Sequence, residues 1–259
     1  MNLFLKFRII GRCINEVKNW HVPILYYLNI KHGKNLIELK NGLRCYLRDK
    51  GDAIAFFENF FLDVNSPSNE FIINMKDVVI DVGAHVGYFT LNASEKAKKG
   101  KIFAFEPNSE SFNMLQENIE INKIKNAIVV NAGVLDRSGK AELFLSDDYS
   151  IGNSMFLEKS DKKEIVNVMS LEEIVKTYHI DKIDFLKLDC EGAEFDIILK
   201  LTDELLKKIT RISAEIHQSL ENHSIKELEE FLSSKGYVVK SIKLLDSNQN
   251  LHMLYAIRK

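Results

Sequence analysis

The stretch Val78-Val79-Ile80-Asp81-Val82-Gly83-Ala84-His85-Val86-Gly87 decides the fold of this 259-residue chain. Four of its first five residues are β-branched and apolar, with none of the alternation of a half-exposed strand, so the run reads as a strand buried on both faces. Two glycines mark the turn at its carboxyl end, and a helical pattern takes over from Gly87 to Lys98. Working outward, Lys101 to Phe105 is a second strand. Ser109 to Asn122 is a helix with Phe112, Leu115 and Ile119 on one face. Ala127 to Asn131, Ala141 to Leu145 and Ile165 to Met169 follow as strands. Ser170 with Glu173 and Ser224 with Glu227 have the capping-box spacing that opens a helix. Ile183 to Leu188 and Thr210 to Ile216 are strands on either side of a helix at Glu194 to Leu201. This alternation predicts an α/β fold whose sheet is mostly parallel and covered on both faces. The ending breaks the rhythm. Tyr237 to Leu245 and Leu251 to Ile257 are strands separated by only the polar stretch Asp246 to Asn250, too short for a crossover helix, so the last strand is expected to run antiparallel.

Upstream, Asn65-Ser66-Pro67-Ser68-Asn69 is a cluster of turn formers. It divides an N-terminal helical and strand cap, residues 1–66, from a main domain, residues 67–259. The cap contains a strand at Leu43 to Leu47 and an apolar helix through Phe56, Phe57, Phe60 and Phe61. Residues 1–40 carry seven Lys or Arg against two Glu, a net +5 in a chain whose total is -2. That overall balance gives no whole-chain case for nucleic-acid binding. The basic segment reads as helices docked on the domain or, alternatively, as a contact for a second copy or a membrane surface. It is also placed to act as a lid over the carboxyl edge of the sheet. No apolar run approaches the roughly 18 residues of a spanning helix. Cys13, Cys45 and Cys190 form no C-x-x-C pair or disulfide framework. A cytoplasmic protein is the expectation.

The glycine turn carries the chemistry. Glycines at a strand's carboxyl end allow a tight turn and close backbone approach to a ligand, and the next helix offers free N–H groups. Glu106 ends the second strand, where a carboxylate can accept hydrogen bonds from both hydroxyls of a ribose. A dinucleotide would require G-x-G-x-x-G, but the middle position here is His85, between Gly83 and Gly87. Asp81 stands two residues before Gly83, where a carboxylate repels a pyrophosphate but suits an amino group or a cation. S-adenosylmethionine, with a ribose, an amino group and a sulfonium, fits better than a nicotinamide dinucleotide. Asn131, ending the third strand, is either a reader of the adenine edge or a strand-end turn residue.

Two further constellations end later strands at the edge where open α/β sheets place ligands. Lys187-Leu188-Asp189-Cys190-Glu191-Gly192-Ala193-Glu194 crowds three acids, whose mutual repulsion argues for function. Glu215-Ile216-His217 puts Glu215 and His217 on one face. Asp189, Glu191, Glu215 and His217 are the candidate catalytic groups. No H-x-x-x-H, C-x-x-C or D-x-D-x-D-G pattern is present, and no metal ligand is assigned.

Together these residues resemble the FkbM-type S-adenosylmethionine-dependent methyltransferases. The resemblance spans about Asn41 to His217 and rests on Cys45-Tyr46-Leu47-Arg48, Asp81 to Thr90, Ala104-Phe105-Glu106-Pro107-Asn108, Asn118, Asn131-Ala132, Gly139, Ser170-Leu171 and Phe185 to Glu194. His85 departs from it, since the family more often has Asn there. The resemblance implies a class I methyltransferase, Rossmann-like sheet. It also implies methyl transfer from S-adenosylmethionine to oxygen, commonly a hydroxyl of a sugar, glycan or natural product. A base then takes the hydroxyl proton, with His217 or Asp189 first in line. The competing readings are a nicotinamide-dependent oxidoreductase and a non-catalytic nucleotide-binding scaffold.

Overall fold

Local sequence sets the elements, which the computed structural model describes over residues 3–146, 153–155, 162–217, 223–244 and 251–259. The chain opens with α1 (Leu3–Glu16) and α2 (His21–Tyr27), then the antiparallel pair β1 (Asn35–Glu38) and β2 (Arg44–Leu47). α3 (Lys50–Phe57) starts where the Asp49 side chain accepts from the Asp52 N–H, and it runs directly into a π-helical turn, Glu58–Leu62. The main domain follows with β3 (Val78–Val82), α4 (Tyr88–Lys96), β4 (Lys101–Phe105), α5 (Ser109–Ile121) and β5 (Ala127–Val130). Next come β6 (Gly133–Leu135), β7 (Gly139–Phe144), β8 (Lys163–Ser170) and α6 (Leu171–Thr177). β9 (Phe185–Leu188), α7 (Glu194–Leu199), α8 (Asp203–Lys208) and β10 (Arg211–His217) precede α9 (Ile225–Ser234), β11 (Tyr237–Lys243) and β12 (Leu251–Arg258). Ser170 and Ser224 cap α6 and α9 by accepting from the N–H groups of Glu173 and Glu227.

Seven strands form the central sheet in the order β11-β12-β10-β9-β3-β4-β5. The neighbours from β10 to β5 are parallel, whereas β12 lies antiparallel between β10 and β11. This is the mostly parallel sheet with a reversed last strand that the alternation predicts. The polar stretch Asp246 to Asn250 lies outside the described residues. β6, β8 and β7 form a separate three-stranded sheet. The reason is visible in β8, where Val166 and Val168 are buried while Ile165 and Asn167 are exposed. Such an alternating strand cannot be covered on both faces.

The N-terminal region is joined to the rest by a common core. Cys13, Tyr26, Ile37, Phe56 and Phe61 pack in one buried cluster with Val86, Leu91 and Leu115. Two amides lock the seam. Asn118, fully buried, accepts from the Tyr46 N–H at 2.9 Å and donates to the Val86 carbonyl at 2.8 Å. Asn122 does the same for both backbone groups of Arg44. Further along the seam, Arg48 forks onto Asp52, whose other neighbour is the His85 ring at 3.3 Å. Along α1, Ile9 and Cys13 face inward, leaving Phe7, Ile10 and Ile14 exposed. No described helix is long and apolar enough to cross a membrane.

Replacing Asn118 by Leu strands a buried N–H and a buried carbonyl, and each orphan costs about 1–3 kcal/mol. Asn118→Leu should therefore lower the unfolding free energy by about 2–6 kcal/mol, read as a lower urea midpoint with an unchanged slope. An unmoved midpoint would mean that apolar packing alone holds β2 against α5.

Candidate functional site

Close contact between two strand ends builds the site. After β3 the backbone turns through Gly83 at φ +71°, where a Cβ would stand 1.7 Å from the Asp189 carbonyl oxygen beyond β9. Only a glycine permits that approach. The Gly83 and Ala84 N–H groups both donate to the Phe105 carbonyl at 3.0 Å, so the turn is tied to β4 as well. His85 takes the left-handed conformation, φ 52°, that the middle of this turn requires. Its backbone N–H donates to Glu106 at 2.7 Å, and its ring points back to Arg48 and Asp52. Burial lowers the His85 pKa despite the pull of Asp52, so the ring is neutral. Gly87, at φ +91°, begins α4.

Glu106 sits at the end of β4, 7% exposed, and accepts from two backbone N–H groups, His85 on one oxygen and Asn108 on the other at 2.9 Å. Each oxygen keeps a second lone pair for a ligand hydroxyl. Burial pushes its pKa up to about 7, against the lowering effect of those N–H groups and of Lys187.

Lys187, on β9, is the residue whose role the sequence did not reveal. The residue is 5% exposed, and its ammonium donates to the Gly83 carbonyl at 2.7 Å and pairs with Asp81 at 3.1 Å and Asp189 at 3.5 Å. Burial alone would lower its pKa, but Asp81 and Asp189 prevail and raise it. Asp81 is spent in this arrangement. It is fully buried, its second oxygen accepts from the Thr90 hydroxyl at 2.6 Å, and it stays behind the pocket wall. The expectation that it faces an amino group or cation of the ligand is thus met from within the protein, by Lys187.

The pocket at this edge is lined by Gly83, His85, Glu106, Asp189, Glu191 and Glu215 from the sequence-derived set, together with Lys187 and Cys190. The small sheet contributes apolar surface from Val134 and Leu143, beside Met155, and the N-terminal region contributes Ala55, Glu58 and Asn59. None of the described residues up to Lys40 lines it; buried side chains such as Cys13, Tyr26 and Ile37 support α3 and the π-helical turn that do. Glu58 has no motif around it, so sequence reasoning passes over it. Burial and the nearby Asp189 raise its pKa to about 7. Asn131 is not among the residues lining the pocket, and its amide donates to the Glu106 and Pro107 carbonyls at 2.9 and 3.0 Å, the contacts of a strand-end turn residue.

His217 is 6% exposed and sits just behind the pocket wall, with Glu194 at 3.2 Å, Glu191 at 3.6 Å and Glu215 at 3.9 Å. Burial alone would lower its pKa, yet Glu194, Glu191 and Asp189 together raise it to about 10. Those acids thus favour the protonated ring, with Glu194 and Glu191 as its nearest partners. Burial and Asp189 raise the Glu215 pKa well above the ordinary carboxylate range. Cys190 has its thiol pKa raised by burial and Glu194, so no thiolate nucleophile is present.

The residues fit S-adenosylmethionine. Glu106 offers lone pairs for a ribose, and Gly133, at the pocket wall, leaves room that a Cβ would take at 2.9 Å from Met155. Val134 and Leu143 suit an adenine face, and Glu58 suits the cationic end.

Residues 81–239 match the family described as "Methyltransferase FkbM domain". "Methyltransferase sdnD" of Sordaria araneosa is 23% identical, over 75% of this chain and 86% of its own length. "Hexuronic acid methyltransferase AglP" of Haloferax volcanii is 26% identical over 59% of this chain and 61% of its own. The fold is also that of the solved methyltransferase FkbM from Methylobacillus flagellatus, at TM-score 0.52 and 13% identity, covering 77% of this chain and 47% of that one. This chain thus spans less than two thirds of the second relative and about half of the solved chain.

With a pKa of about 7, Glu106 is ionised above neutrality and protonated below it. Affinity for S-adenosylhomocysteine should thus be highest at pH 8 and fall as the pH drops through 7. Glu106→Gln should bind about 10–100-fold more weakly at pH 8 and show a shallower pH dependence, the remainder coming from Glu58, whose pKa is also about 7. Parallel calorimetric profiles for the two proteins would remove Glu106 from ribose binding.

Proposed function

Because this chain belongs to the FkbM methyltransferase family and uses S-adenosylmethionine as its cofactor, we infer that it methylates an oxygen, a hydroxyl of a sugar, glycan or natural product. The nicotinamide alternative falls with the family assignment. What carries the oxygen reading is the pocket mouth, where Glu58, Asp189, Glu191 and Glu215 line one wall next to the ribose-binding edge. Four carboxylates suit an acceptor rich in hydroxyl donors, since each oxygen accepts hydrogen bonds. That a relative's name specifies a hexuronic acid supports a sugar-like acceptor.

The bound cofactor supplies an electrophilic methyl group on a sulfonium. The protein's part is positioning and proton transfer. Glu106 fixes the ribose, the Gly83 turn brings backbone to the ligand, and the small sheet beside Met155 shields one side from water. Held in line, an acceptor oxygen gains most of its rate from orientation. Its proton has the wall carboxylates as acceptors, with His217 set behind them among Glu191, Glu194 and Glu215.

Transfer is tested by incubating the protein with S-adenosylmethionine and a panel of glycans and small alcohols, with mass spectrometry reporting an added methyl. Asp189→Asn should cut the turnover about 100-fold or more while affinity for S-adenosylhomocysteine changes little. A loss of thermal stability parallel to the loss of turnover would make Asp189 a structural acid instead. Methylation of nitrogen or carbon acceptors alone would reject the oxygen assignment.

A further inference from the structure

Three donor groups converge where β9 and β10 end. Parallel pairing of Leu188 with Ala214 sets Glu215 beside Asp189, and strand alternation returns His217 to the side that Glu215 occupies. One ligand atom from each of Asp189, Glu215 and His217 lies within 4.8 Å of the other two. Two ligands of one ion stand at most about 4.2 Å apart when each bond is about 2.1 Å, so a small side-chain rotation closes the set.

The imidazole in this set is aimed. Its Nδ1–H donates to Glu194, a fully buried carboxylate that also accepts from the Cys190 and Gly192 N–H groups at 2.9 and 3.1 Å. Nε2 therefore faces Glu191 and Glu215, and the proton it carries without a cation is displaced to solvent when one binds. A carboxylate behind one ring nitrogen, fixing the other towards acids, is the arrangement that orients a histidine metal ligand. Charge points the same way. Among the described residues lining the pocket, Lys187 is the only ammonium or guanidinium, and it is shared between Asp81, Asp189 and the Gly83 carbonyl, against the lining acids Glu58, Asp189, Glu191 and Glu215.

We propose that Asp189, Glu215 and His217 bind a divalent cation of the manganese, iron or zinc type, leaving open positions for the acceptor's oxygen. The imidazole nitrogen disfavours calcium and magnesium, which prefer oxygen alone. The cation site stands on this geometry, and its role towards the acceptor rests on the oxygen-methylation reading. In that role the cation lowers the pKa of the hydroxyl it holds. The O–H proton passes to a pocket carboxylate outside the ligand set, such as Glu58. The oxygen–carbon bond forms as the carbon–sulfur bond breaks, with its electron pair staying on sulfur.

The test uses the full chain, stripped with a chelator and titrated with Mn²⁺ while the electron paramagnetic resonance lines of the free ion are followed. One ion per chain should be taken up. Glu215→Gln and His217→Gln should each weaken uptake at least about tenfold, with S-adenosylhomocysteine affinity held within about threefold as evidence of folding. Absence of uptake by the unaltered chain, or uptake that these variants leave unchanged, overturns the site. If His217→Gln does not fold, Glu215→Gln and Asp189→Asn decide. Failure of the unaltered chain to bind S-adenosylhomocysteine would overturn the cofactor assignment instead, so the two failures are distinct.

Discussion

The ammonium of Lys187 lies between the carboxyl ends of β3 and β9, where it donates to the Gly83 carbonyl and pairs with Asp81 and Asp189. A charge this deep is tolerated only with partners, and deleting one partner of a buried pair typically costs about 3–5 kcal/mol. The rest of the site depends on this contact. It closes the glycine turn against β9, which places the His85 N–H under Glu106 and so fixes the carboxylate that would hold a ribose. It also holds Asp189 at the pocket edge. One cation thus positions both the cofactor side and the acceptor side.

A second constraint comes from the N-terminal region. Among the described residues β2 has no strand partner beyond β1, and its outer backbone groups are satisfied by Asn118 on α5 and Asn122 at its C-cap. Those amides, with the Arg48–Asp52–His85 contact, carry the N-terminal region to the same turn that Lys187 closes from the other side. α3 and its π-helical turn are thereby set over the sheet edge, and Glu58 reaches the pocket. π-Helical turns recur at functional sites because they re-aim side chains within a helix. A family match that begins at residue 81 leaves Glu58 outside it.

Electrostatics divides the acids by role. Asp81 and Glu194 are fully buried and serve Lys187 and His217. Asp189, Glu191 and Glu215 line the pocket. All five look alike in sequence, as carboxylates near strand ends. Burial and partners separate them, since a buried carboxylate must be paired while an exposed one can turn to a ligand.

The sequence by itself determined the sheet, because a β-branched run without alternation has to be covered on both faces and a short link between the last two strands excludes a crossover. It also determined the glycine turn and the acid that ends β4, since φ near +71° at Gly83 admits no side chain against the Asp189 carbonyl. Only the tertiary structure decided which acids face the pocket, that the Asn131 amide donates to the Glu106 and Pro107 carbonyls, and that His217 is enclosed by Glu191, Glu194 and Glu215. It alone brought in Lys187 and Glu58, and it alone set Asp189 beside Glu215 and His217 from a neighbouring strand. The physical reason is range. Turn geometry and strand patterning are fixed within a few residues, whereas burial, ionisation and side-chain convergence depend on neighbours far away along the chain.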